Sequence, residues 1–587
     1  MDLKNHKKLL AGIIIGVIVL IVAVPVIILA VSKAFTAQES VVRTDWDFET
    51  GDTIGENSTL GVSYAEAELG EGLRAIQLIP DDIEEEGFTY YDITVQERLA
   101  GTLEAMKGDG MTWTATTPLA VLNPFGTASN ALYLYFQTDM PTEVSYTIHV
   151  EDESIPDYTA EAMDASGQEY TRTHEFQIIG LVPGKTNEVT MTISGSWGNA
   201  RQIVSFTVDM PETRSGYATQ LEVTDGISEA AQAEGLFAMM RVNGYLGYGF
   251  FYDDAGVLRY EMVLEGFGLD RLLFDGDEIV TCVSSSKLAR IDRLGRVTQV
   301  YSLDGYELHH DIGFGTDGEV LALAEVAGGE TVEDRVLSID LETGDVTEIL
   351  DFTQVMKGYF DMTRPVGPTD DFFWQAGEWD WIHLNSLQYM PEDDSLIVSS
   401  RETSTIIKVA NIHSEPAVEW LAGDSRFWED TPYADLCLTP VGDFVPQYGQ
   451  HCVELLDNEG NGVYTLAVYN NNYWSLNSRD DFELDVADSV GTDLYGDGTE
   501  TSQVYIYRID ENAGTFELTD SFDVPYSSIV SNGSRCSTSG NWAVNSGVSM
   551  VFGEYDAEGV LIREYKYECT MQNYRTFKYD MTGFWFN

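Results

Sequence analysis

The chain has 587 residues, and its 97 Asp and Glu against 32 Lys and Arg give a net charge of −65. That balance excludes recognition of a phosphate backbone, which needs a basic face, so no nucleic-acid partner is expected. The acidic residues read as a solvated surface, while the length leaves room for several cores and the 12% aromatic content suits packed strands.

Residues 9–31 carry no charge and are almost wholly aliphatic. The stretch is long enough to cross a bilayer, and longer than the apolar core of a secretory signal. Lys4, Lys7 and Lys8 precede it, which places the first residues in the cytoplasm and the rest of the chain outside. The expectation is a single-pass anchor over 1–35, with a cleaved signal as the alternative because Ala34 and Ala37 offer small residues. Residues 36–115 are acidic and unassigned, with one short helix expected near 96–106. Runs at 131–136, 143–150, 174–179, 187–193 and 202–208 alternate apolar and polar residues as half-buried strands do. They predict a β-sandwich over 116–212. Within it, Gly180 to Thr186 imitates a phosphate-binding loop but has one residue too few between its glycines and no helix after it, so it reads as a Pro-Gly turn. A linker is expected over 213–231.

From 232 onward the sequence repeats. Six times a strand runs into a short turn and a second strand. The turns are Asp253 to Gly256, Asp292 to Gly295, Asp340 to Gly344, a degenerate Asn411 to Glu415, Asp510 to Gly514 and Asp556 to Gly559. Asp opens such turns through its side chain, and Gly supplies the positive φ. The spacing is roughly 40 to 50 residues where compact, as a four-stranded blade needs. The fold class is therefore all-β, a six-bladed β-propeller over 232–587, with the first strand of each blade lining the central channel.

Five cysteines are present: Cys282, Cys437, Cys452, Cys536 and Cys569. An oxidising exterior permits disulfides, and the odd count leaves at least one thiol unpaired within the chain. No Cys/His spacing suggests zinc. Cys452 abuts His451, but neighbours on a strand face opposite ways. Carboxylates from Asp493 to Glu500 have a spacing that can hold calcium, in an incomplete EF-hand pattern.

Three of the eight histidines, His310, His383 and His451, occupy one equivalent place at the start of the inner strand in blades three, four and five. Equivalent places in a repeat converge, so these rings should meet at one mouth of the channel. Asn385 lies on the same strand face as His383, and Arg401 follows in the turn after Ser399-Ser400. The set is rich in donors and lacks a carboxylate base, which suits a sulfuryl or phosphoryl group. A histidine nitrogen can also accept such a group covalently. Three histidines could ligate a metal, but the Arg401 charge opposes a dication there, so neither metal nor cofactor is expected.

At these residues a family resemblance is evident. Asp380-Trp381-Ile382-His383-Leu384-Asn385, Val398-Ser399-Ser400-Arg401, Gly449-Gln450-His451 and His309-His310-Asp311 closely resemble the propeller of the bacterial arylsulfate sulfotransferases. Asn123-Pro124-Phe125-Gly126 and residues 181–187 resemble that family's β-sandwich. The resemblance implies sulfuryl transfer from a phenolic sulfate ester to a phenol acceptor without a sulfate nucleotide, and a homodimer. It implies that His451 is the nucleophile, forming a sulfohistidine, and that Arg401, His383 and Asn385 bind the sulfuryl oxygens. It makes His310 the acid and then the base, with His309 as the fallback one position earlier. Two features depart from the family: Cys437 stands alone where a close cysteine pair precedes the nucleophile, and Phe125 replaces a common Tyr. The contrasting expectation is a surface-anchored binding propeller without catalysis, in which the three histidines are separate structural residues.

Overall fold

The computed structural model describes residues 53–67, 75–108, 110–195, 201–269, 271–480, 482–496 and 498–587. The apolar stretch at 9–31 lies outside them, as does Asp497 of the acidic loop. Among the described residues, no helix is long and apolar enough to cross a membrane.

Six antiparallel sheets form the propeller. Blade two comprises Leu273–Asp275, Glu278–Ser284, Lys287–Asp292 and Val297–Ser302. Blade three comprises Tyr306–Phe314, Glu319–Val326, Arg335–Asp340 and Val346–Asp351, and blade four Leu384–Met390, Ser395–Ser400, Thr405–Ala410 and Ala417–Ala422. Blade five comprises His451–Gly460, Val463–Asn470, Ser502–Asp510 and Thr515–Val524, with Thr439–Val441 added in parallel at its outer edge. Each repeat turn joins the third and fourth strands of its blade. In blade one, for example, Asp253 accepts the Ala255 and Val257 amides at 2.9 Å, and Gly256 takes φ 72°.

Blades stack face to face, so their middle strands are buried on both sides and read as continuous apolar runs. Leu321, Leu323, Leu384, Leu387, Leu396 and Val398 share one core between blades three and four. Ile397, Ile406, Val453, Leu466 and Tyr507 fill the next. Each such side chain contributes about 1.5–3 kcal/mol on burial, so adjacent blades hold one another in place.

Two details differ from the sequence expectation. The innermost strand of blade one is not its first: Phe577–Tyr579 pairs with Leu236–Met239, and Tyr248–Tyr252 and Leu258–Val263 follow outward. Blade six, Asn532–Arg535 to Leu561–Lys566, gains an outer strand, Glu222–Asp225, from the segment read as a linker. The ring is thus closed at two radii by hydrogen bonds between segments far apart in sequence.

In the N-terminal part, Leu132–His149 is one long strand that serves two pairings. Its first half pairs with Leu119–Leu122 and Thr171–Ile178, its second with Tyr158–Glu161 and Thr186–Gly195. Leu132, Leu134, Phe176, Val189, Met191 and Phe206 bury their side chains in a common core, as a sandwich requires. Part of the region left unassigned belongs to this body: Ala75–Pro80 pairs in parallel with residues 120–121, and Thr53–Asn57 and Val62–Ala67 continue the sheet. The short helix is Ile93–Lys107, capped by Asp92. Its Gln96 donates to the carbonyls of Tyr90 and Phe125 and accepts the Val297 amide, which pins the helix to blade two. Phe125 packs in the core with Tyr90, Leu99 and Tyr217. The Gly180 to Thr186 segment is a turn before a strand, and its Lys185 pairs with Asp152 at 2.9 Å.

Candidate active site

The three histidines do converge. His310 and His383 rings lie 4.8 Å apart between centroids, and His383 and His451 lie 6.3 Å apart. Tyr574 caps the group, 5.1 Å from His310 and 6.3 Å from His451. His309 packs edge-on to His310 and its Nδ1 lies 2.8 Å from His310 Nδ1, so it stands behind the ring that meets His383.

Their placement at strand starts needs one correction. His451 opens its strand and His383 immediately precedes one, but His310 sits inside Tyr306–Phe314. What the three share is a break in the ladder, between Leu308 and Ile312, Leu384 and Ser386, and His451 and Val453. In or next to each break a non-glycine residue enters the left-handed region: His310 at φ 59°, His383, one residue ahead of its break, at 48° and Cys452 at 50°. Such conformations cost about 1–3 kcal/mol each and persist where the surroundings over-determine them. The bulge re-aims a side chain that a regular strand would turn elsewhere. Asn385 falls within one of these bulges. Its Nδ2 donates to the Gln450 carbonyl at 2.8 Å, beside His451, and its Oδ1 is unpartnered.

Arg401 lies in the turn after Ser395–Ser400, where its amide donates to the His383 carbonyl at 3.1 Å. Its Nη2 donates to Asp380 Oδ2 at 2.9 Å, its guanidinium stacks 4.3 Å over Phe372, and its buried Nε has no partner. Asp380 Oδ2 is also 2.7 Å from His383 Nδ1. The site therefore does not lack carboxylates, as the sequence had suggested. A second one, Glu333, lies 2.5 Å from His383 Nδ1 and 3.7 Å from His310 Nδ1. Asp380 was visible beside His383 in the sequence. Glu333 had no signal, because it arrives from the connection before Arg335–Asp340.

Charge and burial divide the histidines. Burial and the Arg401 cation oppose protonation of His383, but Asp380 and Glu333 outweigh them and hold its pKa up at about 9. Burial pushes His309 down to about 3, with the His383 and Arg241 charges adding to the effect. His310 and His451 are held well below the ordinary histidine range, first by burial and then by the His383 cation. Asp380, despite its burial, is kept low by His383 and Arg401. Burial raises Glu333 against the pull of His383.

His451 is oriented through Nδ1, which faces the Gly449 carbonyl at 3.0 Å and Asn471 Oδ1 at 2.8 Å. Asn471 is fixed the right way round because its Nδ2 donates to the Ser527 and Val530 carbonyls. Two acceptors at Nδ1 put the ring proton there and leave a lone pair on Nε2. Beneath the histidines, Arg575 donates to the Asn385 carbonyl and pairs with Asp311 at 3.3 Å, and Arg271 holds the same carboxylate at 2.8 Å.

Glu333, Asp380 and His383 bring ligand atoms within 4.8 Å of one another, as do His309, His310 and Glu333. Arg401 already donates to that first trio, so its negative charge is met by a guanidinium rather than left for a dication. All five cysteines are free thiols, and burial raises that of Cys452. It is no activated nucleophile.

Residues 224–582 match the family described as arylsulfotransferase (ASST), and residues 119–211 match the arylsulfotransferase Ig-like domain. The curated arylsulfate sulfotransferase AssT of Escherichia coli O6:H1 is 27% identical over 135 residues, which cover 19% of this chain and 22% of that protein's length. Among solved structures, a protein titled a putative 6-phosphogluconolactonase from Bacteroides fragilis is 11% identical with a TM-score of 0.33, covering 75% of this chain and 98% of that one. A second so titled, from Bacteroides uniformis, is 12% identical with a TM-score of 0.30, covering 75% and 97%. Those scores are too low to carry an argument, whereas the first match spans more than half of the sequence: the chain belongs to the arylsulfotransferase family.

Proposed function

We propose that this protein moves a sulfuryl group from a phenolic sulfate ester to a phenol, through a sulfohistidine on His451 and without a sulfate nucleotide. The observation that carries the proposal is His451 itself, a buried, uncharged imidazole whose Nδ1 is held by two acceptors and whose ring lies 6.3 Å from that of His383. In the first half-reaction Nε2 attacks sulfur, the S–O bond to the phenol breaks, and the phenolate takes a proton from His310. In the second, His310 removes the proton of the acceptor phenol, its oxygen attacks sulfur, and the S–N bond returns its electrons to His451. Arg401, the His383 imidazolium and the second N–H of Asn385 stand as donors for the sulfuryl oxygens. The stretch at 9–31 tethers the protein to a membrane with the propeller outside, and pairing of two chains belongs to the same reading.

The test incubates the purified chain with nitrophenyl sulfate and a phenol, without nucleotide. Yellow nitrophenolate and a sulfated acceptor support transfer. Binding without release of either favours the contrasting reading, a binding propeller whose histidines do no chemistry. Membrane fractionation and light scattering check the tether and the pairing.

A further inference from the structure

The acid role given to His310 meets an obstacle in its own surroundings. The ring is buried, His383 beside it is a cation, and Arg241 adds a further positive influence, so a resting imidazolium is disfavoured. An acid that is neutral at rest can still work if its second nitrogen is fed as its first gives up a proton. Glu333 is placed to feed it.

Three carboxylates, the buried Asp380 and Glu402 and the half-buried Glu333, face two cations, Arg401 and His383. Asp380 is matched twice, by Arg401 at 2.9 Å and by His383 at 2.7 Å. Glu402 accepts the amides of Asn477 and Ser478. Glu333 alone of the three bridges two histidines. Its Oε2 lies 2.5 Å from His383 Nδ1 without the alignment of a hydrogen bond, and is unsatisfied. Its Oε1 lies 3.7 Å from His310 Nδ1, a gap that closes by a side-chain shift of the kind apo sites commonly make as His309 Nδ1, 2.8 Å from the same nitrogen, gives way. Glu333 is held in this pose by a left-handed backbone, φ 56°, with its amide donating to Glu325 at 3.3 Å. Strain at a non-glycine residue beside two other strained residues of the same cluster points to position, not to packing.

We propose that Glu333 carries a proton between His383 and His310. The proposal rests on the sulfuryl-transfer reading. As the S–O bond breaks, the phenolate oxygen takes the Nε2 proton of His310, the Glu333 carboxylate takes the Nδ1 proton of His383 on Oε2, and its carboxyl group turns to deliver that proton to His310 Nδ1. The acceptor half-reaction runs the chain backwards. The departing phenol carries one proton out and the acceptor brings one in, so His383 is neutral while the sulfuryl group rests on His451. Glu333 is a positioning residue acting through His310. The groups facing the relay are His309, Tyr574, Asp380 and Arg401, with Arg241 stacked over the Tyr574 ring at 5.4 Å.

The test uses the full chain and the variants Glu333→Gln and Glu333→Asp, with folding checked by thermal melting. Single-turnover phenol release is followed from nitrophenyl sulfate and from phenyl sulfate. Phenolate from the second needs the proton and nitrophenolate hardly does. Glu333→Gln should slow phenyl sulfate on the order of 10²-fold and nitrophenyl sulfate less than about tenfold, and Glu333→Asp should recover part of the loss. Equal losses on both donors, or none, would overturn the proposal. A second readout needs no activity: with ¹⁵N-labelled histidine, the midpoint of His383 should fall in Glu333→Gln from its wild-type value of about 9. An unmoved midpoint would also overturn it. If the wild type releases phenol from neither donor, the sulfuryl-transfer reading fails, and the titration still decides whether Glu333 and His383 share a proton.

Discussion

The backbone N–H of Val530 aims at His451 Nε2 from 3.3 Å. Val530 holds that amide in place at φ 56°, a conformation that a β-branched residue almost never adopts. That contact, with the two acceptors at Nδ1, fixes the ring through both nitrogens and keeps Nε2 unprotonated, so a reacting atom meets the lone pair only as the Val530 N–H gives way.

His451→Asn should therefore abolish both steps of the reaction. Wild-type protein given donor alone should release roughly one phenol per chain and stall, as a covalent two-step mechanism requires. Intact-mass measurement should find one added sulfuryl group, absent from the variant. A label on His310 or His383 instead would reassign the nucleophile.

Arg401→Ala should lower kcat/KM by an amount equivalent to about 2 to 4 kcal/mol. Arg401→Lys should not restore it, since a point charge cannot replace a planar fork that stacks on Phe372 while reaching Asp380. Steady-state kinetics on both variants, with melting as a control for folding, decides this.

Stability should depend on pH through opposed histidines. His383 has a folded pKa near 9, above its unfolded value, so its contribution is complete below about pH 6.5 and is lost as pH rises through 9. His309, His310 and His451 have depressed folded values, so the unfolded chain takes up more protons and stability falls as pH drops below about 6.5. Melting temperature measured across pH should lose its alkaline decline in His383→Gln. A decline of unchanged size would mean that the two carboxylates do not hold that ring charged.

Reductant should leave melting temperature and activity unchanged, because all five thiols are free. Thiol titration in denaturant should count five. Native protein should react first at Cys437 and Cys569, which are half-buried, while Cys282, Cys452 and Cys536 are buried.

Much of the architecture was legible because turns obey local chemistry. Asp at the first position and Gly at the last, as at Asp556 and Gly559, mark an outer hairpin whatever the rest of the blade does. The convergence of His310, His383 and His451 was legible because repetition converts spacing into position. Glu333 was not, since one carboxylate among 97 acidic residues carries no periodic mark. Nor was the inner strand of blade one. Phe577–Tyr579 is three residues long, and its partner Leu236–Met239 is more than three hundred positions away. The strands at 53–80 were hidden for a similar reason: they join the sheet through a parallel pairing across the intervening helix.

The closing strand has a consequence for biogenesis. Tyr574 and Arg575, which cap and brace the histidines, lie just ahead of Phe577–Tyr579 and are set in place when it docks. The surroundings of His310, His383 and His451 are thereby complete only in a closed ring. A nascent chain that has made five blades already carries every histidine of the cluster, yet lacks the tyrosine and arginine that cap and brace it. Closure of the ring and assembly of the cluster are one event.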